Sequence, residues 1–253
     1  NVERVLELEP DLVFQWGNYG NEIFDPLVNA GLNVAAIKIR NENDTREWIR
    51  IMSTVLGKKD KAVKMVSWRD ETMNIVKNNT KKVKKRKNIL YFRLFKNTLQ
   101  VAGKGTYNNF YINLIGANNP ANSKKGFYNV TPEQVVSWDP DIVLMNGFEP
   151  KLGPDAYVKH PIFSITKAAK EKKVYSMPLG GYRWDPPNQE SPLTWMWLGM
   201  LTYPEIHKYD LKFEMDKSYK MLYGTSISKN DINQILKVKL NKQSFKYLDI
   251  FDL

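Results

Sequence analysis

Residues 3–17 read ERVLELEPDLVFQWG and residues 133–147 read EQVVSWDPDIVLMNG, so one fifteen-residue phrase occurs twice in the chain. Six positions are identical: Glu3/Glu133, Val5/Val135, Pro10/Pro140, Asp11/Asp141, Val13/Val143 and Gly17/Gly147. Each copy has the same local grammar: a short amphipathic helix led by an acidic residue, a Pro-Asp turn, an apolar strand, then glycine. Proline cannot continue a helix and aspartate favours the turn. The runs DLVF and DIVLM are continuous and apolar, the pattern of strands covered on both faces of a parallel sheet. Ligands of such sheets lie beyond the carboxyl ends of the strands, here residues 16–22 and 146–150. Two equivalent α/β units facing one cleft are therefore expected.

The sequence around the repeat alternates in the same way. Residues 1–41 read as helix, strand, a helix around 23–30 and a strand at 34–39. Asp44 or Thr45 is placed to cap a helix that Gly57 stops. A longer helix follows over about 60–82, with Ala62, Val66, Met73 and Val76 on one face. A strand at 88–92 opens the second unit. A helix near 107–115, the second Pro-Asp phrase, a helix at 165–170, a strand at 173–177 and terminal helices complete it. This alternation predicts an α/β class with mainly parallel sheets.

PDLVFQWG, AGLNV (30–34), VLGKKDKAV (55–63), AGKGTYNNFYINLIGANN (102–119), PDIVLMNG and AAKEKKVYSMPLGGYRW (168–184) stand in a telling order and spacing. Together they resemble the metal-chelate substrate-binding proteins of bacterial ABC importers, a family serving siderophores, haem and cobalamin, over essentially the whole chain. The resemblance implies two lobes joined by a long stiff helix, the class III periplasmic-binding-protein arrangement. Residues 1–43 would be the remnant of an N-terminal α/β lobe, 44–86 the helices including the connector, and 87–253 the C-terminal lobe. The family's first lobe normally opens with a βαβ segment ahead of the helix at residue 2, so the resemblance implies a missing start, with any signal peptide or lipid anchor. It further implies a monomer in the periplasm or on the outer face of the cytoplasmic membrane, peripheral to it. Its partners would be an ABC permease and a small chelate, with no intrinsic cofactor. An iron-siderophore or haem is the first choice of cargo; a nickel chelate or cobalamin, a cobalt complex, is the alternative.

The richest candidate ligand segment is PLGGYRWDPPNQESP (178–192), which leaves the end of an expected strand. Tyr182, Arg183 and Trp184 there combine flat apolar surface with a guanidinium that pairs bidentately with carboxylate or phosphate. Trp16, Asn18 and Tyr19 from the first unit, Arg93 after NILYF, Tyr107 in GKGTYNN and Phe148 after the second phrase should meet it. Arginine with aromatics points to an anionic, partly apolar ligand. The family resemblance adds two docking carboxylates facing permease arginines, Glu22 and Glu190. With only His160 and His207, and no cluster of metal-ligand spacing, the chelator rather than the protein is expected to supply most metal donors.

Composition narrows the remaining classes. The 253 residues carry 42% hydrophobic content, enough for sizeable cores, and no cysteine, which excludes disulfides and thiolate chemistry. No apolar run reaches the length of a membrane span. No nucleophile elbow, P-loop, HExxH or dinucleotide fingerprint occurs, so an enzyme is not expected. The net charge of +11 and the run KNNTKKVKKRK (77–87) leave a basic nucleic-acid or surface-binding module as the alternative of another class. The run continues a helical pattern, so a solvated helix end is the simpler reading and no nucleic-acid partner is expected.

Overall fold

The structure, a computed structural model, describes residues 1–17, 20–95, 98–148 and 153–253. Its first part is α1 (Val2–Leu6), β1 (Val13–Trp16), α2 (Asn21–Asn29) and β2 (Val34–Ile37), with β1 and β2 paired in parallel. Helices α3 (Glu42–Val55) and α4 (Lys59–Thr80) follow. Asn41, not Asp44 or Thr45, caps α3: its side chain accepts from the Asp44 amide at 2.9 Å, and Asp44 turns back to accept from the Arg40 amide. Gly57 takes φ +64° just past the end of α3, the left-handed stop that glycine supplies without strain.

The second sheet has the order β5-β4-β3-β6-β7. Strands β3 (Ile89–Phe95) and β4 (Thr98–Ala102) form an antiparallel pair, and α5 (Tyr107–Leu114) and β5 (Phe127–Asn129) come next. After α6 (Pro132–Trp138), β6 (Ile142–Met145) pairs in parallel with β3. Helices α7 (Pro154–Val158) and α8 (Lys167–Lys170) lead to β7 (Val174–Ser176), parallel to β6. Three of the five strand pairings are parallel; the antiparallel β4 and β5 add an edge that the sequence reading did not anticipate.

Both faces of this sheet are covered, which is why ILYF of β3 and IVLM of β6 read as unbroken apolar runs. Ile89, Tyr91, Ile142, Leu144 and Tyr175 join one core cluster, while Leu90, Phe92, Val143, Met145 and Val174 join the other. The first face packs on α9 (Ser191–Thr202), whose twelve residues SPLTWMWLGMLT are all buried, as a helix apolar on every side must be. Helices α10 (Leu211–Tyr223), α11 (Lys229–Ile235), α12 (Val238–Asn241) and α13 (Tyr247–Phe251) complete the chain.

The repeated phrase has a conformational basis. Glu9 and Asp139, equivalent residues directly before the two prolines, both stand in the left-handed region, at φ 44° and 38°. A residue before proline is disfavoured in the helical region, so neither helix passes its proline, although α1 ends at Leu6 and α6 runs on to Trp138. The two glycines also match. A Cβ on Gly147 would meet the Met177 carbonyl oxygen at 2.0 Å, and one on Gly17 would meet Lys38 side-chain atoms at 3.3 Å, each at the end of the neighbouring parallel strand. Asp141 is more than a turn former: it accepts from the Asn88 amide at 2.8 Å and pairs with Lys167, fastening the start of β3 to α8.

Candidate functional site

Segments leaving four parallel strands converge on one cleft of about 500 Å³. They bring Ile39 and Arg40 after β2, Arg93 and Leu94 at the end of β3, Asn146 and Phe148 after β6, and Arg183 and Asp185 after β7. Thr106, Tyr107 and Asn108 at the start of α5, with Phe127 of β5, also line it. The volume suits a small molecule.

Charge in the cleft is dominated by arginine: Arg40, Arg93 and Arg183 face Asp185, the only carboxylate among the described lining residues. Arg93 lies 3.5 Å above the Phe127 ring, and its Nε and Nη2 donate to Gln100 Oε1 on β4 at 3.1 and 3.0 Å. Partial burial pulls its guanidinium below the ordinary value, yet an arginine stays charged. Arg183 lies 4.4 Å above Phe148 and 5.7 Å from Tyr182. Arg40 donates to Asp44 at 3.1 Å. Asp185 is buried and accepts from the Tyr91 hydroxyl at 2.9 Å; burial pushes its carboxyl up, against the opposing pull of Arg183. A guanidinium set over aromatic faces, as that of Arg183 is, can still offer in-plane N–H groups to oxygens.

Beneath the cleft lies a buried polar cluster. Arg69 of α4 donates through Nε and Nη2 to both oxygens of Glu42 at 2.6 Å, and through Nη1 to the Asn188 carbonyl at 2.8 Å. Tyr107 donates to Glu42 at 3.0 Å and Arg46 pairs with it at 3.0 Å, while Trp195 of α9 lies 5.6 Å from the Arg69 guanidinium. One carboxylate thereby ties α3, α4 and α5 together, and Arg69 adds the loop after β7.

Of the residues expected at the site, Arg93, Tyr107, Phe148 and Arg183 meet in this cleft. Trp16 and Tyr182 instead line an adjoining apolar groove of about 470 Å³ beside α3 and α4. Trp184 does not face ligand: it is fully buried, and its indole N–H donates to Glu190 at 2.7 Å. Glu190 is fully buried too, so the accessible carboxylate that docking requires is not there; its oxygens are taken by Trp184, Tyr182, Tyr219 and Tyr223. Glu22 is exposed in the first turn of α2. Asn18 and Tyr19 lie outside the described residues, as do Glu149 and Pro150 of the loop after β6.

Sequence reading missed Arg40, Asp185 and Phe127. Arg40 carried the same signal as Trp16, a position just past a strand, whereas Phe127 sits in a three-residue strand too short to show a pattern. Neither histidine belongs to the cleft. His207 is buried with Nδ1 2.8 Å from the Tyr209 hydroxyl, and His160 Nδ1 accepts from the Ile162 and Phe163 amides. No group of three or more potential metal-holding side chains exists among the described residues.

Parallel strands open onto an arginine-rich cleft, and the long helix α4 stands between the two sheets in chain order. The chain belongs to the periplasmic binding protein family, whose model matches residues 1–179. It is similar to a periplasmic solute binding protein from Veillonella parvula, with 30% identity, a TM-score of 0.85, and coverage of 96% of this chain and 75% of that one. It is also 24% identical over 249 residues to the molybdate-binding protein MolA of Haemophilus influenzae, covering 89% of this chain and 70% of the relative; MolA solved with molybdate superposes at a TM-score of 0.79. The Fe(3+)-citrate-binding protein YfmC of Bacillus subtilis is 23% identical over 177 residues, 69% of this chain and 56% of the relative's length. Among the described residues no helix is long and apolar enough to cross a membrane.

Proposed function

We propose that this protein captures an anionic metal chelate outside the cytoplasm and delivers it, without chemistry, to the permease of an ABC importer. The observation that carries this reading is the convergence of Arg40, Arg93 and Arg183 with the rings of Phe127 and Phe148 at the strand ends. Such a site gives oxygen-rich anions charge-assisted hydrogen bonds and gives flat ligand surface an apolar wall. That no metal-ligand cluster occurs among the described residues fits cargo whose metal is already wrapped in its chelator. Iron chelates are the first choice, with nickel chelates and cobalamin behind them.

A second reading is a bare oxyanion, favoured by the likeness to a molybdate-binding relative and by the weight of arginine in the cleft. Mass spectrometry of protein purified natively from its source, read for metal and co-purified organic mass, separates the two. A metal with an organic partner supports the chelate, an oxyanion alone supports the second reading, and nucleic acid in their place defeats both. Glu22 is the remaining docking proposal: Glu22→Ala should leave ligand affinity unchanged and impair transport, and a loss of affinity would contradict it.

A further inference from the structure

Glu190 is a fully buried carboxylate with a role the cleft itself does not reveal. Its Oε1 accepts from the Tyr182 amide at 3.2 Å and from the Tyr223 hydroxyl, and its Oε2 accepts from Trp184 Nε1 at 2.7 Å and the Tyr219 hydroxyl at 2.9 Å. Among the described residues its partners are a backbone amide, an indole N–H and two tyrosine hydroxyls, so this buried polar group is hydrogen-bonded on both oxygens. The segment before Arg183 is wrapped tightly around this carboxylate. A Cβ on Gly180 would meet Glu190 Oε2 at 2.0 Å, and one on Gly181 would meet the Tyr223 hydroxyl at 2.5 Å and Glu190 Oε1 at 2.8 Å.

The two loop residues that bond to Glu190 are Tyr182 and Trp184, one on each side of Arg183. The Arg183 carbonyl is itself held by Asn188 Nδ2 at 2.7 Å, and Thr194 Oγ1 donates to the Trp184 carbonyl at 3.0 Å. The backbone at Arg183 is thus fixed from both sides while its guanidinium projects over Phe148 into the cleft. We infer that Glu190 is a positioning residue for anion recognition: anchored by Tyr219 and Tyr223, it clamps residues 182 and 184 so that the Arg183 guanidinium is presented over Phe148. This rests on the reading that Arg183 binds the cargo.

The test is Glu190→Gln, which keeps the size but turns an amide NH2 toward groups that are themselves donors. Two measurements follow. A crystal structure of the variant should show Arg183 displaced from the Phe148 ring. Affinity for the tightest binder among ferric citrate, haem, nickel-histidine and molybdate should fall about tenfold, and the double variant with Arg183→Ala should bind no more weakly than Arg183→Ala alone, because coupled residues are not additive. A purely structural role would leave the two losses multiplying. Arg183 remaining over Phe148 in the variant, or fully multiplying losses, overturns the inference. If none of the four probes binds the wild type, the proposed function fails instead, and the crystal structure still decides the role of Glu190. Should Glu190→Gln not fold, Tyr223→Phe and Tyr219→Phe each remove one anchoring hydroxyl and answer the same question.

Discussion

On the proposed reading, Arg183 and Arg93 are the single side chains that recognise the cargo. Each is held against a ring, Phe148 or Phe127, so little freedom is lost when a ligand oxygen arrives. A charge-assisted hydrogen bond contributes about 1.5–3 kcal/mol, so Arg183→Ala should weaken binding of an anionic chelate by about 10- to 100-fold, measured by calorimetry, with neutral chelates hardly affected. The two glycines of the repeat give a sharper contrast. Gly147→Ala forces a Cβ against a backbone oxygen at 2.0 Å and should cost about 3 kcal/mol or more in chemical denaturation. Gly17→Ala meets the flexible Lys38 side chain at 3.3 Å and the Ile37 carbonyl oxygen at an ordinary contact distance of 3.4 Å, and should cost less than about 1 kcal/mol. That Arg93, Tyr107, Phe148 and Arg183 would line one cleft was legible from sequence because each lies at or just after a recognisable element. The burial of Trp184 and Glu190 was not legible, since it depends on Tyr219 and Tyr223, 29 and 33 residues beyond Glu190. Position after a strand says that a loop reaches the cleft; which of its side chains turn inward is decided by what packs beneath.

Among the elements, α4 stands out because its burial is polar as well as apolar: Arg69 and Thr72 are buried alongside Ala62, Trp68 and Val76. The strands β1, β2, β3, β6 and β7 were all foreseeable, since apolar runs bounded by turn residues are a strong signal. The β4 and β5 edge was not, because TLQVA mixes polar and apolar residues and FYN is only three residues long. The Glu42–Arg69 pair is likewise invisible in sequence, its members being 27 positions apart on different helices. Removing one partner of a buried pair strands the other charge. Arg69→Ala should therefore cost about 3–5 kcal/mol by urea denaturation, whereas Glu47→Ala, breaking the exposed pair with Arg50, should change stability by about 1 kcal/mol at most. Equal effects would show that the cluster does not hold these helices together.

Across the whole molecule, the charge excess and the cleft act in the same sense. A net charge of +11 favours encounter with anions, and on the proposed reading the cleft then selects among those that arrive. Stability should carry a histidine signature. Burial lowers the affinity of His207 for a proton, so its folded value lies below the ordinary 6.5. Above about pH 6.5 both folded and unfolded chains hold it neutral and its contribution is complete. As pH falls below 6.5 the unfolded chain takes up the proton first, and stability drops by up to about 1.4 kcal/mol per pH unit. Melting temperature should decline between pH 6.5 and 5.5, and His207→Asn should flatten that decline. Tryptophan fluorescence titration with ferric siderophores, ferric citrate, haem, cobalamin, nickel chelates and molybdate, run on the wild type and on the Arg93→Ala, Arg183→Ala double variant, addresses the central claim most directly. Saturable quenching by an anionic member of the panel that disappears in the double variant is the predicted result; no saturable ligand, or binding that survives the loss of both arginines, would contradict it.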